Sequence, residues 1–288
     1  MLMRAARAVW RRWVSAAAVA SMAGAAGLAG AGAATAAQNT VVNCNNNPAA
    51  LQPAIVAASS GDTLVVRGTC TGNFTINKDL TLIGQGGAVL DGTQTGTTVT
   101  ISGSVQVQLT ALTITGGNAI LGGGINNTTG SVLTLNRSTV AGNTATFGGG
   151  IYNLGTLTLN VSTLRNNTAT FGGGIINDSF GTLTLNVSTV RNNTADQGGG
   201  IYNSGGSVLT LNASTVRNNI ANSAGGGIYD NGGTETLRNS AVERNTSNGG
   251  SGSGGGIFNN GGSVTLDNSR VRNNIPENCA GTSVPGCS

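Results

Sequence analysis

The chain contains no histidine. That absence excludes a Ser-His-Asp triad, a Cys-His dyad and a His-liganded zinc, because each needs an imidazole. Charge is also scarce, at 8% of residues, against about 25% in an average soluble domain. With 38% apolar residues, such a chain is not a charged disordered one. The net charge of +4 comes from Arg4, Arg7, Arg11 and Arg12 alone. The remaining nine Arg and one Lys balance ten acids. A neutral body lacks the basic footprint that nucleic acid requires. Aromatic residues make up only 3%, and Trp10 and Trp13 both lie near the N-terminus.

Only one segment resembles a targeting signal. A basic start leads into the apolar run Val14 to Leu28 and then to Ala34-Thr35-Ala36-Ala37. This is the layout of a secretory signal with an A-x-A cleavage site, expected over residues 1–37. Arg11-Arg12 also fits an incomplete twin-arginine pattern. No other run is long and apolar enough to span a bilayer.

The four cysteines, Cys44, Cys70, Cys279 and Cys287, lie near the two ends of the expected mature chain. In an exported protein an even count reads as two disulfides. Of the three pairings, Cys44–Cys70 with Cys279–Cys287 is the economical one. The absence of C-x-x-C and of His argues against a metal site.

Glycine, asparagine and threonine carry the chain's main signal, because they recur. Gly-Gly-Gly-Ile occurs with its Ile at Ile125, Ile151, Ile175, Ile201, Ile228 and Ile257. Each copy continues through L-T-L-N, S-T-V and N-N-T-A segments. These pieces are too short for helices, and Leu-Thr-Leu-Asn alternates with period two. Gly and Asn punctuate every copy, as turns require. Each copy therefore reads as one coil of three short strands and three turns, and stacking buries Leu, Ile and Val columns that no single coil could bury. Asn143, Asn167, Asn193, Asn219, Asn245 and Asn274 form one column. An inward amide there is expected to donate to the next coil's carbonyl and accept from the previous coil. Asn-x-Ser at Asn136, Asn160, Asn186 and Asn212 matches a glycosylation acceptor but follows from the repeat itself.

Residues 38–118 read as a cap and first coils. Pro48 to Ala58 is an amphipathic helix candidate able to cover an open hydrophobic end. It is followed by G-D-T-L-V-V, G-T-C-T-G-N-F-T-I-N-K-D-L-T-L-I-G and A-V-L-D-G. This part resembles the N-terminal part of right-handed parallel β-helix proteins of the pectin-lyase-like superfamily. The G-G-G-I…N-N-T-A copies resemble polymorphic outer-membrane-protein repeats. The resemblance covers roughly residues 41–275. It implies an all-β, right-handed, single-stranded parallel β-helix: a three-faced solenoid of about nine coils, roughly 40–45 Å long at 4.8 Å per coil. Residues 119–275 form the repeat coils and 276–288 a C-terminal tail with a Cys pair. The outer-membrane members carry a C-terminal barrel, whereas 13 residues follow Ile275 here. The mature chain is therefore not expected to be embedded in a membrane.

The enzymes of this superfamily act on acidic polysaccharides, with clustered carboxylates and a Lys or Arg base, or with paired carboxylic acids. In this chain Asp178 and Asp230 lie two coils apart, roughly 9–10 Å, a separation suited to an inverting pair. Their faces differ by one residue and no third group accompanies them, so no catalytic residue, cofactor or metal is assigned.

Two outward columns are the binding candidates. The residue after each repeat Ile is Asn126, Tyr152, Ile176, Tyr202, Tyr229 or Phe258, and period two places it outward. Tyr152, Tyr202, Tyr229 and Phe258 form a row able to receive sugar rings, or else to shield the Gly-rich backbone beside them. Arg165, Arg191 and Arg217, continued by Arg272 after Glu243, form a row able to grip carboxylates or sulfates, or else to keep a strand face soluble. A Thr file at Thr134, Thr158, Thr184, Thr210, Thr236 and Thr265 is a weaker candidate for an ice or mineral surface. The expectation is a secreted or surface-associated, monomeric, non-catalytic scaffold or adhesin-like protein that contacts polysaccharide or a cell surface. The alternative is a lyase or glycoside hydrolase with a reduced site.

Overall fold

The computed structural model describes residues 37–287. The expected signal segment, but for its last residue, lies outside them. Residues 37–287 form a parallel β-solenoid with one short helix. One sheet has nine strands, from Phe74–Ile76 to Cys279–Gly281, one per coil. A six-stranded sheet runs from Asn118–Leu121 to Thr246–Ser247. The third sheet takes two strands from each repeat coil, such as Thr156–Asn160 and Thr163–Arg165.

A repeat coil therefore has four strands on three sheets, not the three strands expected. The extra corner lies between L-T-L-N and S-T-V. There Arg137, Val161, Val187, Ala213, Asn239 and Asn268 all adopt left-handed φ values of 47–52°. The following Ser turns inward. Ser162, for example, donates from Oγ to the Leu135 carbonyl at 3.1 Å, and its N–H donates to Ser188 Oγ at 3.0 Å. A hydroxyl file thus satisfies the corner and keeps both strands in one sheet.

Every named strand pairing between coils is parallel, and the repeat columns are in register: Leu157 sits beside Leu183, Leu159 beside Leu185 and Ile151 beside Ile175. These side chains are fully buried. Burying one Leu or Ile contributes about 1.5–3 kcal/mol relative to leaving it exposed. Thr158 and Thr184 stand on the other side of the strand and are half-buried by their own file. The Gly-Gly-Gly segments bring successive coils into close backbone contact. A Cβ at Gly150 would come within 2.5 Å of the Gly174 carbonyl oxygen, a contact only glycine avoids.

Polar ladders run beside the apolar columns. Asn167 Oδ1 accepts from the Asn143 N–H at 3.1 Å and Asn143 Nδ2 at 3.0 Å. Asn167 Nδ2 donates to the Val140 carbonyl at 3.1 Å and to Asn193 Oδ1 at 3.0 Å. The pattern repeats through Asn219, Asn245 and Asn274. Forward donation thus goes to an amide oxygen, and the backbone carbonyl is reached backward, in the previous coil. A second buried file, Asn127, Asn153, Asn177 and Asn203, was not anticipated, and its amides also donate forward. An outer file donates the other way, from Asn212 to Asn186 to Asn160 to Asn136, each at 2.9 Å.

The expected helix and the expected disulfides are present at the two ends. The helix is Leu51–Ala57, shorter than the Pro48–Ala58 candidate, and it buries Leu51 and Ile55 one turn apart on one face. Its Gln52 side chain accepts from the Thr75 N–H at 2.9 Å. Cys44 is bonded to Cys70, and Cys279 to Cys287.

The corner column gives a prediction. Val187 holds φ at 50°, where β-branched residues are strained, whereas Asn239 and Asn268 occupy the same corner in later coils. Val187→Asn is expected to raise stability by about 1 kcal/mol, measured by equilibrium unfolding.

Candidate functional site

The column after each repeat Ile faces away from the interior, as period two requires, but much of it is covered. Tyr152 and Tyr229 are each 8% exposed and Ile176 is 4% exposed. The Gly-rich bends lie against them: a Cβ at Gly148 would meet Ile176 Cγ2 at 2.9 Å, and one at Gly225 would meet Tyr229 Cβ at 2.7 Å. Tyr202 and Phe258 remain half-exposed. The column therefore both shields backbone and offers rings.

The rings are joined by two residues that the sequence reading missed. Phe147 and Phe171 end neighbouring strands of the six-stranded sheet and stack at 5.4 Å. Phe171 meets Tyr202 edge-on at 5.7 Å. Tyr202 stacks on Tyr229 at 4.9 Å, and Tyr229 on Phe258 at 5.1 Å. The result is a continuous aromatic ribbon that passes from one sheet to another. Its signal was present in T-A-T-F-G-G-G, where a Phe precedes a tight bend leading to the Ile-x-Asn strand.

Beside the ribbon is a groove of about 240 Å³, lined by Phe147, Phe171, Ile176, Tyr202, Asn231 and the pair Asp178 and Ser204. Asp178 Oδ2 accepts from the Tyr152 hydroxyl at 2.9 Å. Its Oδ1 accepts from the Ser179 N–H at 2.8 Å and from the Ser204 hydroxyl. Burial, reinforced by the hydrogen bond to Asp178 and its charge, pushes the Tyr152 phenol up to about 12. Burial also pushes Tyr202 up to about 12, with smaller contributions from Tyr229 and Asp178. Both phenols are neutral at physiological pH, and that of Tyr152 donates to Asp178. Phe180, in the adjoining turn, is 81% exposed.

The Arg row lies elsewhere. Arg165, Arg191 and Arg217 are in register on the 17-stranded sheet, and Glu243 continues their file with an ion pair to Arg272 at 3.1 Å. The six-stranded sheet intervenes along the chain between this row and the Tyr column. The two candidate columns do not converge, and no Arg lines the groove.

The Asp178–Asp230 arrangement is not an acid pair across a cleft. Asp178 faces the groove, whereas Asp230 points into the solenoid with no exposure. Period two explains the difference, since the two positions are one residue out of phase. Asp230 takes the ladder place beside Asn203, and Glu235 takes a Leu place beside Leu209. Asn203 Nδ2 donates to Glu235 Oε1 at 2.9 Å, and the Gly233 N–H donates to Asp230 Oδ1 at 2.7 Å. Asp230 Oδ2 and Glu235 Oε2 are enclosed without any other donor. Burial raises both carboxyls, and the charge of Asp230 drives Glu235 further up. The raised carboxyl of Glu235 favours its protonated form beside Asp230. No substrate reaches this interior pair. Among the described residues no group of three or more acidic or Cys side chains is placed to hold a metal.

No family model matches the chain, and no curated protein is similar to it in sequence. A solved structure similar to it is that of a pectate lyase, Pel9A, at 15% identity and a TM-score of 0.39, with 82% of this chain and 78% of that one covered.

The buried pair has a pH signature. Both carboxyls are raised in the folded protein, so their stabilising protonation is fully present below the unfolded values near 4. It is lost as pH rises through the folded values. Asp230→Asn with Glu235→Leu installs the residues of the neighbouring coil. The double variant is expected to gain about 1–4 kcal/mol at neutral pH and to lose this dependence, read from unfolding midpoints between pH 4 and 8.

Proposed function

We propose that this protein is an exported, non-catalytic binder of polysaccharide. The aromatic ribbon carries this reading. Rings stacked on one another one coil apart turn their edges outward as a continuous apolar strip, and the half-exposed Tyr202 and Phe258 give that strip contact area for the C–H faces of sugars. The adjoining groove is smaller than the roughly 300–1,000 Å³ of sites for drug-sized ligands, a size suited to one sugar unit of a longer chain. An exported, disulfide-bonded scaffold of this kind displays its faces to extracellular polymers or to a cell surface.

A reduced lyase or hydrolase is disfavoured by the same geometry. The groove holds one carboxylate already fixed by three donors, with neither a second acid nor a cationic base among its lining residues. Acid–base catalysis on a glycosidic bond needs such a pair.

Tyr202→Ala is expected to weaken binding to polysaccharide about threefold to tenfold, the worth of an aromatic contact of roughly 0.5–1.5 kcal/mol. Its stability cost should be smaller than that of Leu185→Ala, about 2–5 kcal/mol. Sedimentation with insoluble polysaccharides and equilibrium unfolding of the two variants separate binding from folding. A Tyr202→Ala protein that melts like the Leu185→Ala protein and retains binding would overturn the reading.

A further inference from the structure

We propose that the groove selects uncharged glycans and rejects polyuronates, with Asp178 as the recognition point. The inference rests on the polysaccharide reading and names its ligand class. A carboxylate offers about four acceptor sites. Three on Asp178 are taken by Tyr152, Ser179 and Ser204. Those donors fix the carboxylate at the groove wall. The single remaining site, on Oδ2, accepts one hydroxyl from a sugar lying against Tyr202. A charge-assisted bond of this kind is about twice as strong as a neutral one.

The same carboxylate repels a uronate. It is the one charged residue that lines the groove. The Arg165, Arg191 and Arg217 row, which would be needed to neutralise an acidic polymer, stands on the 17-stranded sheet. Amino-sugar polymers share the charge preference, but the Asp178 carboxylate has one acceptor left and no second acid beside it in the groove. That arrangement suits a hydroxyl better than a desolvated ammonium.

The test is binding of the full mature chain to a neutral β-glucan, chitosan and polygalacturonate at low and high salt, with wild type, Asp178→Asn and Tyr202→Ala. Circular dichroism checks that each variant is folded. Wild type is expected to bind the neutral glucan with little salt dependence and to leave polygalacturonate unbound. Asp178→Asn should weaken glucan binding by about fivefold. Tyr202→Ala should weaken it as well. Polygalacturonate binding that is lost in Tyr202→Ala would overturn the selectivity while keeping the polysaccharide reading. Binding confined to chitosan and abolished by salt would overturn it in the same way. Glucan binding indifferent to Asp178→Asn would remove the recognition point. Failure to bind any of the three polymers, or binding indifferent to Tyr202→Ala, would overturn the polysaccharide reading and this inference together.

Discussion

The solenoid depends on amides that are turned inward and fully bonded. A coil of about 26 residues brings polar backbone into the interior at each bend, where apolar side chains cannot satisfy it. In Asn167 both acceptor sites and both donor hydrogens are used, across three successive coils. That closure works only when each coil repeats the last in register. Slipping by one residue would turn Leu outward and Asn away from its column at the same time. Apolar stacking supplies much of the driving force, and the amide files determine which stack forms. The coil containing Asp230 and Glu235 supports this account by its exception. With Asp230 in place of one Asn the file loses a donor, and Asn203 donates to the second buried acid, Glu235, in that coil.

The same register organises function. Whatever points outward in one coil is repeated about 4.8 Å away in the next, so outward residues become rows. Which rows cooperate depends on the corners between sheets. The aromatic ribbon forms because a tight Gly-Gly-Gly bend brings Phe171 on one sheet against Tyr202 on another. The Arg row, two corners away along the coil, takes no part in the groove. The groove therefore joins aromatic rings to a single acid, Asp178, and two uncharged polar residues, Ser204 and Asn231.

Much of the fold was legible in the sequence. The period, the inward Leu, Ile and Val columns and the Asn143-to-Asn274 file follow from repetition and alternation, the capping helix from its amphipathic pattern, and the cysteine pairs from their placement in two separate local groups. The fourth strand was not legible, because it depends on a left-handed corner residue that is Val in one coil and Asn in another. The ribbon was half legible. Alternation marks Tyr202 as outward, but only the bend angle shows that Phe147 and Phe171 join it. Glu235 was readable in principle, as an acid in a Leu column. Its pairing with Asp230 needed the three-dimensional register.

The amide files are tested most directly by Asn193→Leu, which keeps the number and branching of side-chain heavy atoms and adds apolar surface while deleting the ladder. The Asn167 N–H and one Asn167 Nδ2 hydrogen lose the Oδ1 they donate to. Each buried orphan donor costs about 1–3 kcal/mol. Equilibrium unfolding is expected to show a loss of at least about 2 kcal/mol relative to wild type. An Asn193→Leu protein as stable as wild type, or more so, would show that the interior is held by apolar packing alone and would contradict the account.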